Sequence, residues 1–127
     1  MTRQIIDVDR YWKVIVYYNV DYNFFSYIVS ALKRINASEE TIYKIYSMML
    51  EGKAKAVTYS NLEKHISIVL FNIHDSIEDY ISSVVHEAEH VKQAMLMEYK
   101  VEDKGEPPAY TIGYLVKEMW EVFGDYI

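Results

Sequence analysis

Residues 75–99 read DSIEDYISSVVHEAEHVKQAMLMEY and decide the fold, because they predict one long amphipathic helix from about Ser76 to about Tyr99. When the segment is projected at about 100° per residue, its apolar side chains fall on one side. That side carries Ile77, Tyr80, Ile81, Val84, Ala88, Val91 and Met95. The opposite side carries Asp79, Ser83, His86, His90 and Gln93. Asp75, with Glu78 three residues later, predicts a start similar to a capping box. Such a helix packs its apolar side on a sheet and exposes both histidines.

The rest of the chain divides into short elements on either side of this helix. Before it, alternation and helical spacing predict a strand at 11–20, helices at 24–35 and from Ser38 to Gly52, and strands at 54–60 and 66–72. After it, a loop ends at Pro107 or Pro108, where a last helix begins that ends near Gly124. The predicted order is β-α-α-β-β-α-α. Residues 1–127 therefore form a single α+β domain, in which a short sheet packs against the long helix.

Composition excludes several classes of partner. The formal net charge is −6, the pI is about 5.2, and lysines and arginines do not cluster. Nucleic acid and anionic membrane surfaces both require dense positive charge, so neither is expected as a partner. The chain has no cysteine, which excludes disulfides and thiolate metal sites. With neither a leader-like nor a membrane-spanning apolar run, we expect a cytoplasmic protein, and its oligomeric state stays open.

The long helix carries an HExxH pattern formed by His86, Glu87 and His90. Residues four apart on a helix lie on one face, with Cβ atoms about 5–6 Å apart, so two imidazoles can bind one zinc ion. Glu87 lies at the edge of that face, where its carboxylate can take a proton from a water held by the metal. The alternative is two solvated histidines on a polar helix face. The presence of Glu87 favours the metal, and the pattern predicts a zinc-dependent hydrolase.

A catalytic zinc site needs a third protein ligand and leaves its fourth position to water. Without cysteine, the candidates are the remaining histidines and the acidic residues. Glu106 is favoured, because it follows the loop that reverses the chain, and because a carboxylate suits the start of the next helix. Glu102 and Asp103 remain alternatives at the loop. His65 and His74 are interpreted as loop or strand-end residues.

Two tyrosines follow Glu106 on the last predicted helix. The hydroxyl of Tyr110 or Tyr114, if close to the metal, can stabilise the oxyanion that forms during hydrolysis. We name Tyr110 as the catalytic candidate. The alternative is ordinary packing at the rim of the core, since the chain has thirteen tyrosines.

The segment VHEAEHV at 85–91, followed by EPPAY at 106–110, resembles the zincin metallopeptidases whose third ligand is a glutamate. Its spacing is similar to that of the small ImmA/IrrE-type domains. The resemblance covers about residues 66–115.

The resemblance implies three zinc ligands and one general base, namely His86, His90, Glu106 and Glu87. It also implies a peptide or protein substrate, which pairs in extended form with an edge strand ahead of the motif helix, here 66–72. The function that follows is a small zinc metallopeptidase. The alternatives are a non-catalytic binding or accessory protein of phage or mobile-element type, which keeps the scaffold with or without metal, and an interaction domain with a chance motif.

Overall fold

A four-stranded mixed sheet lies at the centre of the molecule, in a computed structural model that describes residues 1–126. Its strands are β1 (Thr2–Val8), β2 (Trp12–Tyr18), β3 (Ala56–Asn61) and β4 (Ile66–Phe71), in the order β1-β2-β4-β3. β2 and β4 are parallel, and the other two pairs are antiparallel. The helices are α1 (Phe25–Arg34), α2 (Glu39–Leu50), α3 (Ile77–Tyr99) and α4 (Glu106–Phe123). The α+β class is confirmed.

The helices cover the two faces of the sheet in pairs. Residues of α3 and α4 share one buried cluster with the sheet, and residues of α1 and α2 share the other. Successive strand residues point to opposite faces, so β2 contributes Val14 and Val16 to the first cluster and Tyr17 to the second. The motif helix α3 therefore packs on the sheet, as expected. No helix within residues 1–126 has the length and apolar character needed to cross a membrane.

The observed order contains one strand more than the predicted order. β1 pairs with β2 along its whole length, with Val8 opposite Trp12. The turn between them has positive φ angles at Asp9 (51°) and Arg10 (65°). Two consecutive positive φ angles are typical of a type I′ turn, whose two central residues are usually Asn-Gly or Asp-Gly. Because Asp-Arg lacks that signature, the sequence did not reveal the hairpin.

The strand predicted at 66–72 was expected to be an edge strand, and this expectation is wrong. β4 lies between β2 and β3, and Ser67 through Phe71 are all buried. A strand with helices on both faces and strands on both sides reads as a continuous apolar run, as ISIVLF does. β3 is the edge strand beside β4.

Two helix starts show where capping was predicted correctly and where it was not. The Ser38 hydroxyl accepts a hydrogen bond from the Thr41 amide (3.1 Å), which confirms the predicted cap of α2. At α3 the predicted role of Asp75 is wrong, because the Ser76 hydroxyl accepts from the Asp79 amide (3.1 Å). Serine one residue later reaches the third amide of the helix equally well, and the helix starts there.

Candidate metal centre

His86 and His90 point out of α3 on the side away from the core, as predicted. The His86 side chain is 69% exposed, and His90 is also exposed. Their Nε2 atoms are 3.2 Å apart, and the ring planes are inclined at 79°. Two nitrogens that each lie about 2.0–2.1 Å from one tetrahedral zinc ion are about 3.3–3.4 Å apart. The observed separation fits two ligands of a single ion. The same separation also suits an N–H···N hydrogen bond between the two rings.

Glu87 lies on the inner side of the helix beside this pair, and not at the rim of the polar face. One residue turns the helix by about 100°, which carries its side chain towards β3. It is 5% exposed, and its Oε1 accepts a hydrogen bond from the Thr58 hydroxyl (2.9 Å). Its Oε2 lies 4.0 Å from Nε2 of His86. A carboxylate held in one orientation therefore faces the histidine pair.

Thr58 is a site residue that sequence reasoning missed. It lies on β3, whose alternate positions Ala56, Thr58 and Ser60 carry small or hydroxyl side chains. That alternation marks a sheet face that a helix can approach closely. However, the register that sets Thr58 against Glu87 depends on how α3 packs, and no local pattern encodes it.

A small polar pocket of about 250 Å³ adjoins the two residues His86 and Glu87. Its lining comes from β3 with the residue before it, and from the first half of α3: Lys55, Ala56, Ser82, Ser83, His86 and Glu87. Of these residues, Lys55 also forms an exposed ion pair with Asp79 (3.1 Å). The pocket therefore lies between the edge strand and the motif helix.

Glu106 does not join the histidines in this structure. It is the exposed first residue of α4, preceded by Gly105 with φ 81° and ψ −164°. Within residues 1–126 there is no group of three or more His, Asp or Glu side chains arranged to hold a metal. The structure brings together His86, His90 and Glu87, and the role of Glu106 as third ligand stays a prediction.

An ion pair holds the loop before α4 against a different side of α3. The Nζ atom of Lys92 lies 2.9 Å from the Asp103 carboxylate and 2.8 Å from Glu89. Lys92 follows His90 by two residues, and is therefore about 200° away from it around the helix. The Asp103 carboxylate is therefore paired with a residue on this other side of α3. The other loop candidate, Glu102, pairs with Lys104 at 2.9 Å.

The remaining histidines lie at the two ends of β4, as expected from the sequence. His65 stacks on Trp12 with ring centroids 5.4 Å apart. The His74 ring bonds through Nδ1 to the Asn72 carbonyl (2.7 Å) and through Nε2 to the Ser83 hydroxyl (2.8 Å). Both nitrogens of His74 have partners within the protein, which leaves none for a metal.

The two tyrosines of α4 differ in their surroundings. Tyr110 is 77% exposed. The Tyr114 hydroxyl donates to the Asp7 carbonyl (3.1 Å), and burial raises the pKa of this phenol. Tyr114 is thus engaged with β1, while the catalytic role of Tyr110 stays a prediction.

No protein-family model, curated protein or solved structure matches the chain. The chemistry of the site therefore rests on its own geometry.

Proposed function

We propose that the chain is a zinc-dependent hydrolase, a small metallopeptidase of zincin-like type. The observation that carries the proposal is the 3.2 Å separation of the His86 and His90 Nε2 atoms, which matches two ligands of one tetrahedral ion. The buried carboxylate of Glu87 beside them supplies the base that hydrolysis requires. Solvated histidines on a polar helix face have no need of such a neighbour.

His86 and His90 would hold the metal through Nε2, with Glu106 as the proposed third ligand. When bound, zinc supplies a Lewis acid that polarises a carbonyl and lowers the pKa of water. Glu87 accepts the proton of the attacking water and later delivers it to the leaving amine. The Thr58 hydroxyl fixes the orientation of Glu87 throughout, since it donates to Oε1. Tyr110 is the proposed donor to the oxyanion.

The proposed substrate is a peptide or protein segment in extended form. β3 is an edge strand, so the backbone groups on its outer side can pair with an added strand. Its residue Thr58 contacts Glu87, so a chain bound along β3 passes the carboxylate. Backbone pairing recognises any sequence, and selectivity then depends on the pocket at His86 and Glu87.

The experiment is a comparison of metal content and hydrolysis in protein purified without a polyhistidine tag. Wild-type protein loaded with zinc should cleave members of a quenched fluorogenic peptide library. Glu87→Gln should keep stoichiometric zinc and lose at least about 100-fold in rate, because it cannot accept a proton. The control is Glu89→Gln, which changes the same charge two residues away and should stay active.

Each outcome selects one function. Hydrolysis that survives in Glu87→Gln removes this residue from the role of base. Zinc bound by both histidines without cleavage of any library member would favour the non-catalytic binding or accessory protein. Absence of zinc binding by the wild-type protein would leave only a chance motif.

A further inference from the structure

The sheet face covered by α1 and α2 has an outer part that these helices leave partly open. There Arg3 and Ile5 of β1 lie opposite Tyr17 and Ile15 of β2. Ile5 is 46% exposed, and Ile15 is half-buried. Between this strip and α1 runs a groove of about 560 Å³. It lies on the opposite face of the sheet from α3 and the histidine pair.

The groove is lined by positive charge in a chain whose net charge is −6. Arg3, Arg34 and Lys64 contribute to its walls, and its lining contains no acidic residue. Lys64 donates to the Arg34 carbonyl at the end of α1 (2.9 Å). Within residues 1–126, none of the three cations pairs with a carboxylate. The nearest acid of β1 on this face, Asp7, lies opposite Lys13, beyond the groove.

The floor of the groove is apolar. It is formed by Ile15 and Tyr17 of β2, Ile66 of β4 and Ile35 at the end of α1. Tyr27 of α1 is 65% exposed and forms an amphipathic wall. Burial raises the pKa of the Tyr17 phenol, while Arg3 and Arg34 oppose that rise, so their charge is felt at the floor.

We propose that this groove binds an acidic segment of a protein partner. One apolar side chain of the segment lies on the floor at Ile15 and Ile66, and its carboxylates pair with Arg3, Arg34 and Lys64. Arginine forks match carboxylates in geometry, and unpaired guanidinium groups around an apolar floor are complementary to such a segment. Nucleic acid is disfavoured, because three cations on an acidic chain give little attraction for a phosphate backbone, and because an apolar floor does not match phosphates. The proposal is independent of the hydrolase.

The probe is a short fluorescein-labelled polyglutamate peptide with one central phenylalanine, titrated with the whole protein by fluorescence anisotropy. The double variant Arg3→Glu, Arg34→Glu should weaken binding at least about tenfold, because attraction becomes like-charge repulsion. The control Lys44→Glu, Lys117→Glu has the same change of charge at exposed positions of α2 and α4. It should stay within about twofold, since neither lysine lines the groove and the interactions of exposed charges are screened by salt.

Two further measurements keep the test decisive if a variant folds poorly. In the wild-type protein, amide shifts on adding the peptide should concentrate at Arg3, Tyr17 and Tyr27. A polyglutamate peptide with alanine in place of phenylalanine should bind at least about tenfold more weakly, because it loses the apolar area that the aromatic ring would bury on the floor.

Three results would overturn the proposal. The first is equal weakening by the control variant, which would mean that only net charge matters. The second is a set of shifts outside the groove. The third is tighter binding of a short oligothymidine than of the peptide, which would make the groove a nucleic-acid surface.

Discussion

The hydrogen bond from Thr58 to Glu87 leads to a quantitative prediction for the variant Thr58→Val. Valine keeps the shape of the side chain and removes the donor that lies 2.9 Å from Oε1. Hydrogen bonds to charged groups contribute about 1.5–3 kcal/mol, and more of this is lost where water cannot substitute. Glu87 is 5% exposed, so little water can replace the hydroxyl. We expect the free energy of unfolding to fall by about 2 kcal/mol.

Dividing this loss of unfolding free energy by the unfolding entropy expected for 127 residues gives a decrease in Tm of about 7 °C. Urea unfolding followed by tryptophan fluorescence measures the free energy directly, because Trp12 is 2% exposed and reports on the core. In a Glu87→Gln background the same substitution should cost only about 1 kcal/mol, since the acceptor is then neutral.

The matched control is Thr111→Val. The Thr111 hydroxyl donates to the Pro107 carbonyl one turn earlier in α4 (3.0 Å), a bond that contributes little to a helix. This variant should change stability by less than about 0.5 kcal/mol. The predicted role of the Thr58 hydroxyl is wrong if Thr58→Val lowers the free energy of unfolding by less than about 0.5 kcal/mol. It is also wrong if this loss is no smaller in the Glu87→Gln background than in the wild-type protein.

Three further predictions concern two glycines, one before α4 and one within it, and the ion pair between α3 and the loop that precedes α4. Gly105→Ala should destabilise the protein by about 1–3 kcal/mol, because φ 81° with ψ −164° is adopted at low cost only by glycine. Gly113 lies in the interior of α4, where an added Cβ would meet nothing within 4 Å, so Gly113→Ala should instead stabilise the protein by up to about 1 kcal/mol. Equal changes of Tm in the two glycine variants would contradict this expectation. The third prediction concerns Lys92, whose pKa is raised above its ordinary 10.5 chiefly by its hydrogen bond to Asp103 and then by that to Glu89. The stabilisation from these bonds is therefore complete below pH 10.5 and is lost as pH rises through the pKa of Lys92 in the folded protein. The difference in unfolding free energy between wild type and Lys92→Met should therefore stay constant up to about pH 10 and shrink above about pH 10.5. A difference that stays constant above that pH would be inconsistent with the ion pair.

The elements that the sequence predicted well are those whose signal is local. Apolar spacing placed all four helices and three of the strands within a few residues of their observed bounds. The cap at Ser38 and the outward direction of the histidines also depend only on neighbouring residues. The α+β class followed from these local elements.

The features that were missed depend on distant parts of the chain. β1 has only Ile6 and Val8 fully buried, and its pairing becomes evident only beside β2. The edge position of β3 depends on the parallel pairing of β2 with β4, about fifty residues apart in sequence. Thr58 reaches Glu87 only because α3 packs over β3. The position of Glu106 likewise depends on the loop before it, which the Lys92–Asp103 ion pair holds against α3.

Anomalous scattering at the zinc edge, from crystals of tag-free protein grown with zinc, is the decisive measurement for the proposed metal centre. We predict one peak about 2.0–2.1 Å from Nε2 of both His86 and His90, with the Glu106 carboxylate as a further ligand. Stoichiometric zinc should then be lost in His86→Ala. A crystal without such a peak, or with the two histidines bound to separate ions, would rule out the proposed metal centre and the hydrolase with it.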